Sequence, residues 1–235
     1  MLPLKDDQPR YITPYVNGFL IGLNILIFFF QSTMGPRQAE LFARQFGVVP
    51  SHLSAFVSGS PQYPLAAVII PFFTSMFLHA GWLHVLGNMW FLFIFGDNIE
   101  DYLGHFKYLV FYLLAGLFAM ATQVAIYPHS NVPTVGASGA IAGVLGAYFL
   151  LYPRARVLTW WFVFVLYLPA WIVLGEWFVL QFFAGAASLS MATTKDVGGV
   201  AVWAHVGGFV TGMIMIKLFP ERRQRYPYAT RRVEY

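Results

Sequence analysis

The chain has 235 residues, 58% of them hydrophobic, 10% charged and none of them cysteine. Against roughly 25% charged residues in an average soluble domain, this composition excludes an ordinary soluble fold, and the missing thiols exclude disulfides, thiolate catalysis and Cys-ligated zinc or iron–sulfur centres. The net charge of +4 does not point to nucleic acid, because the basic residues flank apolar segments or gather in a tail at Arg222, Arg223, Arg225, Arg231 and Arg232, as membrane orientation requires.

Met1 to Pro14 is polar, with no apolar core before Val16. It is expected to be a cytoplasmic segment, not a cleaved secretory signal. Residues 15–219 are expected to form the membrane domain and residues 220–235 a basic cytoplasmic tail. Apolar runs occupy Tyr15 to Phe30, Phe72 to Phe95, Phe106 to Tyr127, Ser138 to Leu151, Val157 to Ala187 and Val200 to Phe219. Most approach the ~20 residues that cross a bilayer as a helix. Val157 to Ala187 is too long for one upright helix, and Pro169 divides it, since proline disfavours helical backbone just before itself. It reads either as a pair of crossings or as one span from about Leu168 preceded by an interfacial stretch, Val157 to Tyr167.

Two polar residues settle that choice. Ser138, in Gly136-Ala137-Ser138-Gly139-Ala140, and His205, in Ala204-His205-Val206-Gly207-Gly208, each lie close to the start of an apolar run, where a polar side chain is costly and suggests a role. They reach the same leaflet only if their helices run in the same direction, which requires one crossing between them. The expectation is therefore an all-α, multi-pass bundle of six spans. With both termini cytoplasmic, that side holds Lys5, Arg10, Lys107, Arg154, Arg156, Lys217 and the tail arginines, and the outer side only Arg37, Arg44 and Lys195. A bacterial-type plasma membrane is the expected location.

Serine is a weak nucleophile until a base accepts its proton, and histidine is suited to that task. Gly139 and Gly143 on the serine helix, and Gly208 and Gly212 on the histidine helix, each one turn apart, would let two backbones approach closely. His84 and Asn88 lie one turn apart on the second span and carry donors that could face a developing oxyanion, with the unpaired backbone N–H groups that begin the Ser138 helix, including that of Ser138 itself. His79, about 140° around the same helix from His84 at 100° per residue, is expected to brace the outer loop. Asp97, Glu100, Asp101 and Asp196 are not placed as a third triad member, so a serine–histidine dyad is the economical assignment. Metal binding by His79, His84 and His205 lacks a His-Glu-x-x-His pattern, and neither metal nor cofactor is expected. Glu176 and Gln181, on the fifth span, read as hydrogen-bonding residues of the bundle, with tuning of a substrate entry gate as the alternative.

The motifs His84-x-x-x-Asn88, Gly136-x-Ser138-Gly139 and Ala204-His205-x-x-Gly208-x-x-x-Gly212, in that order on successive spans, resemble those of the rhomboid family of intramembrane serine proteases. The resemblance covers nearly the whole chain from the first span to the last. It implies a six-helix bundle that hydrolyses peptide bonds in or beside the transmembrane segments of single-span proteins. Ser138 would be the nucleophile, His205 the general base and then acid, and His84 with Asn88 the oxyanion contacts. Single-span membrane proteins and lipids are the implied partners, and substrate would pass between the second and fifth spans. Two features depart from the pattern. The first outer loop, Phe46 to Pro71, lacks a Trp-Arg pair common in many members, and position 142 is Ala where some carry a Tyr that stacks on the histidine. The alternative reading is a catalytically silent relative that binds membrane clients. A small transporter would show an internal repeat, and none is visible.

Overall fold

A computed structural model of the chain describes residues 1–191 and 201–222. It is mostly helical. Strand β1 (Leu2–Asp6) leads into α1 (Tyr15–Ser32), followed by the short helices α2 (Pro36–Phe46), α3 (Pro50–Val57) and α4 (Leu65–Thr74). A 3₁₀ turn at Ser75–Phe77 precedes α5 (Trp82–Leu103), α6 (His105–Ile126) and α7 (Ser138–Leu151). Strands β2 (Arg156–Trp161) and β3 (Phe164–Pro169) then separate α7 from α8 (Ala170–Met191) and α9 (Val202–Met215). The expected tail and the outer residues Lys195 and Asp196 lie outside the described residues, apart from Pro220, Glu221 and Arg222.

Helices α1, α6 and α8 are each long and apolar enough to cross a membrane, and α4 with α5 forms a fourth candidate bent by 77°. The apolar helices α7 and α9 have 14 residues each, about 21 Å at 1.5 Å per residue. The run expected as one span from Phe72 to Phe95 is thus broken. Residues 78–81 leave the helix, and α5 starts at Trp82 after an extended Gly81.

Helix α7 is the centre of the bundle: every residue from Gly139 to Tyr148 is buried, as expected of a helix apolar on all sides. It is enclosed through small residues. A β-carbon on Gly208 would collide with the carbonyl oxygen of Gly139, and one on Gly212 with that of Gly143, so α7 and α9 meet backbone to backbone. On the other side, Ala119 stands where a side chain at Gly139 would lie, 2.7 Å from that β-carbon position, and Ala115 does the same at Gly143. Close approach of this kind drives helix association where lipid offers no hydrophobic advantage.

The carboxylates at the end of α5 serve the chain that enters α1. Glu100, wholly buried, accepts the backbone N–H groups of Val16 and Asn17 at 3.0 and 2.7 Å and pairs with His105 at 2.5 Å. Asp101 accepts from Tyr11 and Ile12 at 3.1 and 2.9 Å, and Asp97 pairs with Arg10 at 3.2 Å. An acidic group at a helix N-terminus satisfies orphan donors and complements the helix dipole.

The all-α expectation misses a three-stranded antiparallel sheet in the order β1-β2-β3. The stretch read as interfacial is a hairpin that turns at Phe162, whose φ is 54°. Its Val, Thr, Trp, Phe and Tyr residues favour strands. Part of the polar N-terminal segment pairs with it, fixed by the Pro3 carbonyl, which accepts from Trp90 Nε1 at 2.6 Å, and by Asp6, which accepts from the Tyr148 hydroxyl of α7.

Burial pushes the Asp6 carboxyl up to about 6 from its ordinary 3.8. The fold therefore favours the protonated acid. Its contribution to stability is complete below 3.8 and is lost as pH rises through about 6. Thermal unfolding of the detergent-solubilised protein should show wild type losing stability across that window relative to Asp6→Asn. Parallel pH profiles would refute this assignment.

Candidate active site

Ser138 is the first residue of α7, and the loop before it is pinned from several sides. Val48 and Thr134 exchange backbone hydrogen bonds at 3.0 and 2.7 Å, Ser51 N–H donates to the Ser130 carbonyl at 3.0 Å, and Gly136 N–H donates to the Ser75 carbonyl at 2.8 Å. Gly136 has a φ of 131°, and a β-carbon there would stand 2.8 Å from His84 Cε1, 2.9 Å from His84 Nε2 and 3.5 Å from Ser138 Oγ. The missing side chain lets the His84 ring and the serine hydroxyl approach the same point. The first N–H groups of α7 have no partner within the helix.

His205 lies in the first turn of α9 and is 6% exposed. That turn is tied to α6, where Gln123 Oε1 accepts the Ala204 N–H at 3.2 Å. His205 Nδ1 is 2.9 Å from Oε1 of Gln181 on α8. The Trp177 ring, from the same helix, lies beside the imidazole with centroids 5.8 Å apart and planes inclined by 36°. An aromatic neighbour is therefore present although position 142 is Ala.

His84 opens α5. Its Nδ1 accepts the Ala80 N–H at 3.4 Å, which leaves the ring proton on Nε2, the nitrogen beside Gly136 and the serine. Asn88, one turn further, is 2.9 Å from His79 Nε2 through its amide nitrogen. An amide NH₂ has two hydrogens, so this bond leaves a second one for the site. His79 is 3% exposed and also packs edge-on against His84, with centroids 5.0 Å apart. The sequence placed His79 against the outer loop by a helical angle. The structure ties it to Asn88 instead, because the helix begins only at Trp82 and no regular rotation relates residues 79 and 84.

One cleft of about 200 Å³ is lined by His84, Asn88, Ser138, Trp177 and His205, with Leu83, Gly87, Phe91, Ile141 and Leu145 as its apolar wall. Four residues singled out on three separate runs thus face a common space. Glu176 does not line it, and its Oε2 lies 3.6 Å from the nitrogen of Met1. Gln181, read from sequence as ordinary bundle bonding, contacts the histidine. Among the described residues, no group of three or more His, Cys, Asp or Glu could hold a metal ion.

The arrangement defines an integral membrane protein with a serine, two histidines and an asparagine gathered in a cleft at helix starts. Residues 67–222 match the family model described as the Rhomboid domain, and the chain belongs to the rhomboid family. It is 30% identical over 153 residues to Rhomboid-like protein 11, chloroplastic, of Arabidopsis thaliana, an alignment covering 63% of this chain and 51% of the relative. It is 31% identical to RHOMBOID-like protein 1 of the same plant, covering 68% and 36%, and 30% identical to Rhomboid protein 1, mitochondrial, of Saccharomyces cerevisiae, covering 64% and 43%. The chain spans about half the length of these relatives or less. Their names place individual members in different organelles, so membership does not select one membrane for this chain.

Gly136→Ala tests the geometry. Its φ and the His84 contact together should lower the unfolding free energy by about 1–3 kcal/mol, measured by thermal or denaturant unfolding in detergent. Unchanged stability would mean that the loop does not hold this conformation.

Proposed function

We propose that this protein is an intramembrane serine endopeptidase that cuts transmembrane segments of single-span proteins with a Ser138–His205 dyad. The observation that carries the reading is the common cleft, which receives Ser138 from α7, His205 from α9, and His84 and Asn88 from α5. In this reading α1, α5, α6, α7, α8 and α9 are six crossings with both termini cytoplasmic. Helices α7 and α9 then run in parallel, which puts both catalytic residues in the same leaflet. The bias of basic residues supports that orientation.

Ser138 Oγ attacks the scissile carbonyl while His205 accepts its proton. The negative charge that develops on the carbonyl oxygen is met by the N–H groups of the first turn of α7, His84 Nε2–H and the free hydrogen of the Asn88 amide. His205 then protonates the leaving amine, and water, activated by the same base, releases the acyl group from Ser138. A helical segment presents its carbonyls already hydrogen-bonded, so substrate must unwind at the cut. Small or helix-breaking residues near the scissile bond favour this. Substrate would reach the cleft between α5 and α8.

Fluorophosphonate labelling of the purified protein, with a transmembrane-peptide cleavage assay, tests the reading. Wild type should label, and Ser138→Ala and His205→Ala should lose both labelling and cleavage with insertion intact. An unlabelled, inactive wild type beside a reactive control rhomboid would favour the client-binding alternative. Asn88→Ala should lower kcat by about 10²-fold with little change in KM, as loss of one oxyanion donor does. An effect confined to KM or stability would make Asn88 a structural residue.

A further inference from the structure

A neutral imidazole can carry its proton on either nitrogen, and only the tautomer with a lone pair toward the serine can act as its base. The partner of the other nitrogen selects the tautomer, and here that partner is the amide oxygen of Gln181, 2.9 Å from His205 Nδ1. An amide oxygen only accepts, so Nδ1 donates and Nε2 is left with its lone pair. We propose that Gln181 is the positioning residue of the catalytic base, fixing His205 as the Nδ1–H tautomer from α8. This rests on the serine-protease reading of the same site.

Two further observations support it. Trp177 and Gln181 are one turn apart on α8, hence on the same helix face, and both reach His205. Helix α7 offers no such support. Its residue nearest in role, Ala142, is fully buried, with its β-carbon 3.2 Å from the β-carbon position of Gly208. A larger side chain there would oppose the α7–α9 contact. The base is thus oriented from α8 and not from the serine helix. The acidic residue of α8, Glu176, lies away from the cleft, so a neutral acceptor serves where a triad would use a carboxylate.

The test uses the full chain in detergent with ¹⁵N-labelled histidine, the His205 signals being identified by their loss in His205→Ala. Wild type should show the Nδ1–H tautomer, and Gln181→Leu a mixture of both. Cleavage by Gln181→Leu should fall about tenfold in kcat with KM within about twofold, the scale of one hydrogen bond. Gln181→Glu keeps an acceptor oxygen and should restore both tautomer and rate. An Nε2–H tautomer in wild type, or a tautomer unchanged in Gln181→Leu, overturns the proposal. So does loss of activity that follows thermal stability and is not restored by glutamate. The tautomer is read without turnover. A wild type that neither labels nor cleaves but shifts tautomer on losing Gln181 therefore refutes the protease reading alone.

Discussion

The site depends on the contact between the backbones of α7 and α9. Ser138 and His205 each lie in the first turn of a short helix, so their relation is set by how those helices register and how near they come. The carbonyls of Gly139 and Gly143 occupy the space that side chains at Gly208 and Gly212 would need. The helices are consequently locked in both separation and register. In lipid, where burying apolar surface gains nothing over remaining in the bilayer, dispersion and Cα–H···O contacts across such a seam are the main attraction. The seam extends to Gly146, where a side chain would strike the Phe209 carbonyl. The close contact is therefore not confined to the first turns of the two helices.

Several polar groups inside this apolar bundle occur in sets that satisfy one another. Asn17 donates to the Leu92 carbonyl and accepts from the Tyr108 hydroxyl at 3.0 and 2.7 Å, and Gly96 leaves room for it on α5. Glu100 takes two helix-start donors and His105. These bonds fix α1, α5 and α6 at one end of the bundle. The other end is left to the loop carrying Gly136 and to the histidines. This division lets α5 carry structural carboxylates in its last turns and site residues in its first, without either set facing the other.

Much of this was legible because membrane insertion makes each polar residue in an apolar run conspicuous. The helix read as Ser138 to Leu151 has those bounds in the structure, and the glycines spaced one turn apart stand at the α7–α9 seam. The break before Trp82 was not legible. Residues 72–95 are mostly apolar, and mean hydropathy carries no sign of a bend that rests on an extended Gly81 and the Gln31–His79 contacts. The His79–Asn88 bond was hidden for the same reason. The β2–β3 hairpin escaped because a short apolar run does not distinguish strand from helix by periodicity, and its third strand comes from a polar segment over 150 residues earlier. Gln181 was visible as a residue but not as a partner, since its relation to His205 is fixed by the α8–α9 packing.

That relation gives α8 a double position. Only 17% of its candidate span is buried, against 22% for α1 and 39% for α6, so it is the least buried of these three. Its firm contacts lie along α9, where Trp203 stands 3.0 Å from the β-carbon position of Gly185 and Gln181 and Trp177 meet His205. Under the proposed reading, a helix that borders the substrate route would need to be loose, whereas a helix that orients a base would need to be firm. Contacts with His205 made from one face over a single turn would be compatible with both. Both partners of the imidazole thus come from α8, while Ser138, His84 and Asn88 are carried by α7 and α5.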